Sequence, residues 1–395
     1  MHDCRLVLDF DGRRLTGLRP FARLEVRNGF RQWWGDGHPF RKGDNIFDAI
    51  RNALIWAREK CGSRGAAIGF VGYDAAREWM PRAFGKQSPA NNLHRPELRL
   101  TFCEELRDEP APNPTIDTLP DEEYSAPPVP DEYRAAIERI RKYIAAGDIY
   151  QANFTQRFQA PLAVSPATLY EKLQQSHPAR FGALLQWDDF ALVSNSPERF
   201  LKLEDRLLTA QPIKGTTRRG STASWDKERA QALLNSAKDR AENVMIVDLL
   251  RNDLGRVCEY GSVQVPKLFE LQTLPTLHHL VSTITGTLRG DCDGLDAFRA
   301  AFPCGSITGA PKMRAMQIID ELEPVRRGAA MGAIGYFGFD GAMDWNVAIR
   351  TITCLEREAY FHVGGGIVEG SNAEDEYAEM RLKARAMETA LGAKM

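Results

Sequence analysis

Two residues in the middle of the chain invite chemistry. Lys214 lies in the stretch TAQPIKGTTRRG, between an apolar run and a Gly-Thr-Thr turn. A strand ending in LLTAQPI would carry that lysine into the protein rather than off its surface. Glu198 lies in SNSPERF, just upstream. If RFLKLED and RLLTAQPIK pair around a turn near Asp205–Arg206, residues whose numbers sum to about 412 lie opposite one another, as Glu198 and Lys214 do. Burial favours the neutral form of each group, while attraction between two charges opposes both shifts. A partly desolvated lysine is a competent nucleophile, and a carboxyl that keeps its proton is a competent acid. A structural salt bridge would use the same two residues and ask less of them.

Two helical patterns add carboxylates. In SAKDRAENVMIVDLLRNDLG, Asp239 and Glu242 are spaced to share a face, and in SNAEDEYAEMRLKARAM, Glu376, Glu379 and Lys383 fall on one stripe. Ser371 is placed to cap the second helix, with Glu374 three residues on. Paired helical carboxylates suit a hard divalent cation such as Mg²⁺; two solvated acidic faces have the same spacing. HVGGGIVEGS, with Gly364, Gly365 and Gly366, and CGSITGAPKMRAMQIID offer backbone that an anion can approach. Arg350, within NVAIRTITCL, is a lone cation in a core-like strand and calls for a carboxylate.

The elements that must position these groups fall into two stretches. Residues 1–120 mix short alternating strands (LVLDFDG, ARLEVRNG, AAIGFVGYD) with one helix, NIFDAIRNALIWAREKCG, whose Ile46, Ile50, Leu54 and Ile55 suit one buried face. This is read as a supporting region. It closes in an acidic, proline-rich linker over about residues 104–130. Residues 121–395 open on a helix with the stripe Tyr133, Ile137, Ile140, Ile144 and continue in hairpin-like strands. Long helices are expected at about 226–251 and 373–391. The fold class expected is α+β, with large antiparallel β-sheets flanked by helices.

Composition narrows the classes. Over 395 residues, 53 acidic and 51 basic side chains nearly cancel, so no overall field favours nucleic acid or an anionic membrane. No apolar run is long enough to span a bilayer, and the start, MHDCRLVLDFDG, lacks the order of a signal peptide. Seven cysteines without CxxC spacing point to free thiols in a reducing, cytoplasmic setting. Cys304, in FPCGSITGAP, reads as a small residue chosen for size, although its loop is a candidate active loop.

Taken in order, SNSPERF, PIKGTTRRG, DRAENVMIVDLLRNDLGRV, FPCGSITGAPKMRAMQIIDELEP, GAIGYFGFDGAMDWNVAIRT and VGGGIVEGSNAEDEYAEMRLKA resemble the chorismate-utilising enzymes, through about residues 130–390. The resemblance implies a sandwich of antiparallel sheets like that of anthranilate synthase component I. It is strongest to the members that aminate chorismate at C4, on the route to 4-aminobenzoate and folate. It implies that Lys214 is a nucleophile, where ortho-aminating synthases read Pro-Ile-Ala-Gly-Thr, and that Glu198 is the acid for the departing hydroxyl. Glu242 and Glu379 look like Mg²⁺ ligands with Asp239 and Glu376 alongside. Arg350, Lys383 and the Gly364–Gly366 backbone look like carboxylate binders, with Thr308 and His279 lining the pocket. Gln151 stands where water-adding members carry a basic lysine. Two departures are Cys304, where a glycine is usual, and Met380, where a threonine is usual. No cysteine sits in a GxCxG elbow, so the expected source of ammonia is a separate glutamine amidotransferase subunit. The alternatives are ortho amination, as in anthranilate synthase component I, and a non-catalytic homologue that binds chorismate or tryptophan.

Overall fold

The computed structural model describes residues 4–41, 43–85, 89–112, 127–275 and 277–392. Alternation along single strands shows how the layers arise. In Arg5–Phe10, Leu6, Leu8 and Phe10 enter one core while Val7 enters another. In Ala66–Val71, Ile68 and Phe70 join that first core, while Ala67 and Val71 turn to a third. In Phe181–Gln186, Ala183 and Leu185 share it and Leu184 does not. A period of two therefore places one apolar core between two sheet layers and one on each outer face. Each aromatic buried there, such as Phe70 or Phe181, contributes about 1.5–3 kcal/mol.

Helices cover the outer faces. Asp131–Ala145, Pro166–Ser176 and Ala373–Leu391 pack over one layer, and Ile46–Cys61, Ala237–Gly255 and Gly294–Ala301 over the other. The ladders are antiparallel throughout. The α+β class and the flanked sandwich are thus as the sequence suggested. The long strand Arg13–Arg27 joins the layers: its first part pairs with Arg5–Phe10 in one, and its last part with Phe30–Trp34 in the other.

The early and late parts of the chain are built into the same layers. Arg5–Phe10 pairs with Phe181–Gln186, and Ala66–Val71 pairs with Ala333–Gly338. The acidic, proline-rich stretch begins inside a strand, because Leu98–Pro110 runs through it; residues 113–126 lie outside the described residues.

Several local expectations shift. The helix Ile46–Cys61 forms, capped by the Asn45 side chain (about 1 kcal/mol) and ended at Gly62 with φ 75°. Its buried face runs through Ile46, Phe47, Ile50, Ala53 and Ala57, leaving Ile55 exposed. The helix expected over 226–251 is two, Ala223–Asn235 and Ala237–Gly255, because the Ser236 side chain caps the second by accepting from Asp239 N–H. The last helix is capped by Asn372, not Ser371. The strand expected through Arg350 is broken there, between Met343–Val347 and Thr351–Leu355, and Arg350 takes φ 48°. Among the described residues no helix is long and apolar enough to cross a membrane.

Candidate active site

The hairpin carrying Glu198 is tighter than expected by one residue. Arg199–Glu204 pairs with Leu207–Gln211 around Asp205 and Arg206, both at positive φ, with Glu204 opposite Leu207. A bulge follows between Thr209 and Gln211. The chain then continues as a separate strand, Ile213–Arg218, which pairs with Leu277–Thr287 instead. Glu198 and Lys214 are therefore not cross-strand partners in a ladder. They still come near one another: the charge of Lys214 acts on the Glu198 carboxyl.

Glu198 is 3% exposed. Burial raises its pKa to about 7, against opposing pulls from the Ser306 hydroxyl, Lys214 and the Ile213 N–H. Its Oε1 has no hydrogen-bond partner among the described residues. A carboxyl with a pKa near neutrality and one free oxygen is equipped to give up a proton at physiological pH.

Lys214 points inward. A Cβ placed on Gly366 would stand 3.4 Å from Lys214 Nζ and 2.1 Å from Gln151 Nε2, so the missing side chain leaves room for both. Gln151 is fully buried with neither amide atom paired. At Gly365 a Cβ would stand 3.2 Å from Glu376 Oε2 and 4.0 Å from Lys383 Nζ. Gly364–Gly366 lies on the strand Glu358–Ile367, paired along one edge with Gln151–Pro161. On its other edge the neighbouring strand ends at Thr351, which opens this backbone to the basin.

The carboxylates gather across from the lysine. Glu242 on Ala237–Gly255 has its pKa raised by burial, helped by Asp239 and Glu376 and opposed by Lys214 and Lys238. Glu379 is held below the usual range by Lys383, 2.7 Å away, with help from Lys238 and Lys214. Glu376 accepts from the Ser371 hydroxyl at 2.7 Å, the task Ser371 performs instead of capping. The donor set is oxygen only, as a hard divalent cation requires, and the repulsion among Asp239, Glu242 and Glu376 is the kind a cation relieves. Among the described residues no three of these groups already converge as a metal cluster: Glu379 is tied to Lys383 and Glu376 to Ser371.

Arg350 anchors the far end. Its main-chain carbonyl accepts from Asn195 N–H at 3.1 Å, but its guanidinium makes no hydrogen bond or ion pair to any described residue, and burial lowers its pKa. The carboxylate its sequence setting suggested is not supplied by the protein. His279 lies close enough to feel its charge; burial first, then Arg350, lowers the His279 pKa to about 3. His279 Nδ1 meets the Thr216 hydroxyl at 2.7 Å, and its Nε2 is unpaired. Thr216 follows Lys214 by two residues on the strand Ile213–Arg218, past an irregularity at Gly215, whose φ is 88°. The Thr308 hydroxyl donates to the carbonyls of Cys304 and Gly305 at 3.0 and 3.3 Å, fixing its own turn. Lys383 Nζ donates to the Gly364 carbonyl at 3.3 Å.

Sequence reasoning missed Ser306, Lys238 and His177. The signal for Ser306 was present in CGSITGAP, a small polar residue in a tight turn, but nothing there indicated that it reaches Glu198. His177 precedes Pro178 in a loop and is placed near Arg350 only by the tertiary fold; burial and Arg350 lower its pKa to about 4.

The basin thus gathers a buried carboxyl of raised pKa, an inward lysine, a glycine-floored strand edge and an arginine without a counterion among the described residues. The chain belongs to the chorismate binding enzyme family, whose model matches residues 11–389. Aminodeoxychorismate synthase component 1 of Salmonella typhimurium is 50% identical over 248 residues, covering 63% of this chain and 55% of that protein. The protein of the same name from Escherichia coli is 48% identical over 249 residues, covering 63% and 55%. Anthranilate synthase component 1 of Geobacillus stearothermophilus is 42% identical over 257 residues, covering 65% and 51%. The chain thus spans about half the length of these curated relatives. The crystal structure of anthranilate synthase component I from Streptococcus pneumoniae superposes with a TM-score of 0.80 at 28% identity, over 95% of this chain and 92% of that one.

Proposed function

We propose that the chain is the chorismate-aminating component of an aminodeoxychorismate synthase, replacing the C4 hydroxyl of chorismate with an amino group. The observation that carries this reading is the placement of Lys214: its charge is felt by Glu198, Glu242 and Glu379 together, beside the open backbone of Gly366. Arg350, with His279, supplies the unpaired positive group for one substrate carboxylate. Lys383 and the Gly364–Gly366 edge border the space for the other. Glu242, Glu379, Asp239 and Glu376 would hold Mg²⁺, which when bound would neutralise that second carboxylate.

Lys214, as the free amine, forms a bond to C2 while the two conjugated ring double bonds shift and the C4–O bond breaks. Glu198 gives its proton to the departing oxygen, so water leaves and a carboxylate remains. Ammonia then bonds to C4, both double bonds shift back and the C2–Nζ bond breaks. The proton that ammonia sheds returns Glu198 to its starting state. The new amino group lies para to the ring carboxylate. Gln151, which holds no basic group at neutral pH, cannot activate water in ammonia's place. The ammonia would come from a separate glutamine amidotransferase subunit, the setting is cytoplasmic, and the product would enter 4-aminobenzoate and folate synthesis.

The test is to incubate the chain with chorismate, Mg²⁺ and either ammonium or glutamine, then identify the product. The para isomer from ammonium, with no turnover of glutamine by the chain alone, is expected. Anthranilate and pyruvate would instead assign the chain to ortho amination, and no product to a binding role.

A further inference from the structure

The strand Ala191–Ser196 ends in Ser194, Asn195 and Ser196, just before Glu198, and all three residues are buried. Each of them grips the segment that carries Arg350. Ser196 Oγ donates to the Val347 carbonyl at 2.6 Å, and Asn195 N–H donates to the Arg350 carbonyl at 3.1 Å. Ser194 Oγ lies 2.8 Å from the hydroxyl of Thr351, its cross-strand partner. Thr351 Oγ1 in turn donates to the Ile349 carbonyl at 3.1 Å. Because the Thr351 proton is committed there, Ser194 is the donor within the hydroxyl pair.

The gripped segment needs a brace. Arg350 takes φ 48°, a left-handed conformation that sterics disfavour for any residue with a Cβ. No counterion holds its guanidinium among the described residues, so the backbone sets the direction of the side chain. A φ relaxed to the extended region would swing the Cα–Cβ bond away from its present line. Ser194 and Thr351 are 0% and 1% exposed, which leaves no water to replace either hydroxyl. Ser196 also meets the backbone of the acid: it accepts from Glu198 N–H at 3.2 Å, and Val347 N–H donates to the Glu198 carbonyl at 3.0 Å. One strand end thus ties two groups of the basin to each other.

We propose that Ser194, Ser196 and Thr351 are positioning residues that hold Arg350 in its left-handed corner at a fixed reach from Glu198, so that a substrate carboxylate and the departing hydroxyl are held in register. This rests on Arg350 being the carboxylate anchor and Glu198 the acid. A guanidinium pairs with a carboxylate through two parallel hydrogen bonds, which demand the right plane as well as the right distance. A corner that swings therefore loses binding before it loses chemistry. Ser196 differs from the other two because its hydroxyl touches the backbone of both segments.

Steady-state kinetics with chorismate, Mg²⁺ and ammonium test the brace. Thr351→Val keeps the shape and removes the hydroxyl: KM for chorismate should rise about three- to tenfold, with kcat and the KM for ammonium within about twofold of the wild type. Ser194→Ala should raise the same KM by less, and Thr351→Ser, which keeps the hydroxyl, should restore it. Ser196→Ala should raise KM and lower kcat together. In an Arg350→Met background, Thr351→Val should add nothing, because no guanidinium is left to place. A wild-type chorismate KM in Thr351→Val, or in Ser194→Ala should the former not fold, would overturn the proposal. So would a second rise of equal size in the double variant, or both constants unmoved in Ser196→Ala. Arg350→Met alone separates the two ideas: an unmoved KM there means the anchor has been misassigned, whereas a raised KM there with unmoved values in Thr351→Val and Ser194→Ala condemns the brace alone.

Discussion

Two kinds of buried charge coexist in this molecule, and they are satisfied in opposite ways. Away from the basin, among the described residues, each deeply buried ion has its counterion. Arg327, 3% exposed, bonds Glu323 through two nitrogens and also the carbonyls of Ile307 and Asn153. Arg99 is paired with Glu25 at 2.6 Å and Asp189 at 2.5 Å, and lies over the rings of Trp187 and Phe190. Lys312 is paired with Asp253 at 2.6 Å. In the basin the pattern inverts: Arg350 has no anion, and Glu198 Oε1, both amide atoms of Gln151 and His279 Nε2 have no partner among the described residues. Leaving such groups unmet costs about 1–3 kcal/mol apiece. The protein bears that cost where a ligand can supply the missing partners, whereas the clusters of Arg327, Arg99 and Lys312 leave no buried side-chain atom unpaired among the described residues.

The contrast can be broken from either side. The largest effect is expected at Glu198→Gln, which keeps shape and removes the transferable proton: kcat should fall on the order of 10²–10⁴-fold while the urea midpoint at neutral pH does not fall. A midpoint that falls with the rate would make Glu198 structural. Arg327→Ala should do the reverse, losing about 3–5 kcal/mol of stability because Glu323 is left buried without its partner. Unfolding in urea measures this, and an unchanged midpoint would show that the paired clusters stabilise little.

Arg350→Met is the intermediate case. Removing a half-buried cation that has no protein counterion should leave stability equal or higher, while KM for chorismate rises on the order of tenfold or more. Reduced stability with an unchanged KM would contradict the assignment. The smallest effect concerns pH. The folded pKa of Glu198, about 7, lies above its ordinary 4.5, so the folded state binds the extra proton between those values. That stabilisation is fully present below about pH 4.5 and is lost as pH rises through 7. Wild-type stability minus that of Glu198→Gln should therefore fall by about 1–3 kcal/mol across the window; a flat difference would mean the carboxyl is not so perturbed.

How much of this was legible beforehand follows from the range of each interaction. The last helix and the helix Ile46–Cys61 are set by local periodicity, and the sequence carries those signals; Lys214 comes near Glu198 from a separate strand, not across the hairpin that the sequence suggested. The register of that hairpin was off by one because the turn at Asp205 and Arg206 sets Glu204 opposite Leu207; a bulge before Pro212, invisible to alternation, shifts it again, and a new strand paired with Leu277–Thr287 starts at Ile213. The break at Ser236 was masked because its flanks both read as helix. Arg350 was read as a strand residue because nothing in NVAIRTITCL marks a left-handed turn at a residue other than glycine. The joining of Ala66–Val71 to Ala333–Gly338 spans most of the chain, and no short-range pattern encodes such a pairing.

The most direct test is the intact mass of the protein quenched after mixing with chorismate and Mg²⁺ in the absence of ammonia. The wild type should gain the mass of chorismate less one water, mapped by peptide analysis to Lys214, and Lys214→Ala should gain nothing and form no para-aminated product when ammonium is restored. If Lys214→Ala still yields 4-amino-4-deoxychorismate at the wild-type rate, the lysine is not the nucleophile and the covalent account is wrong.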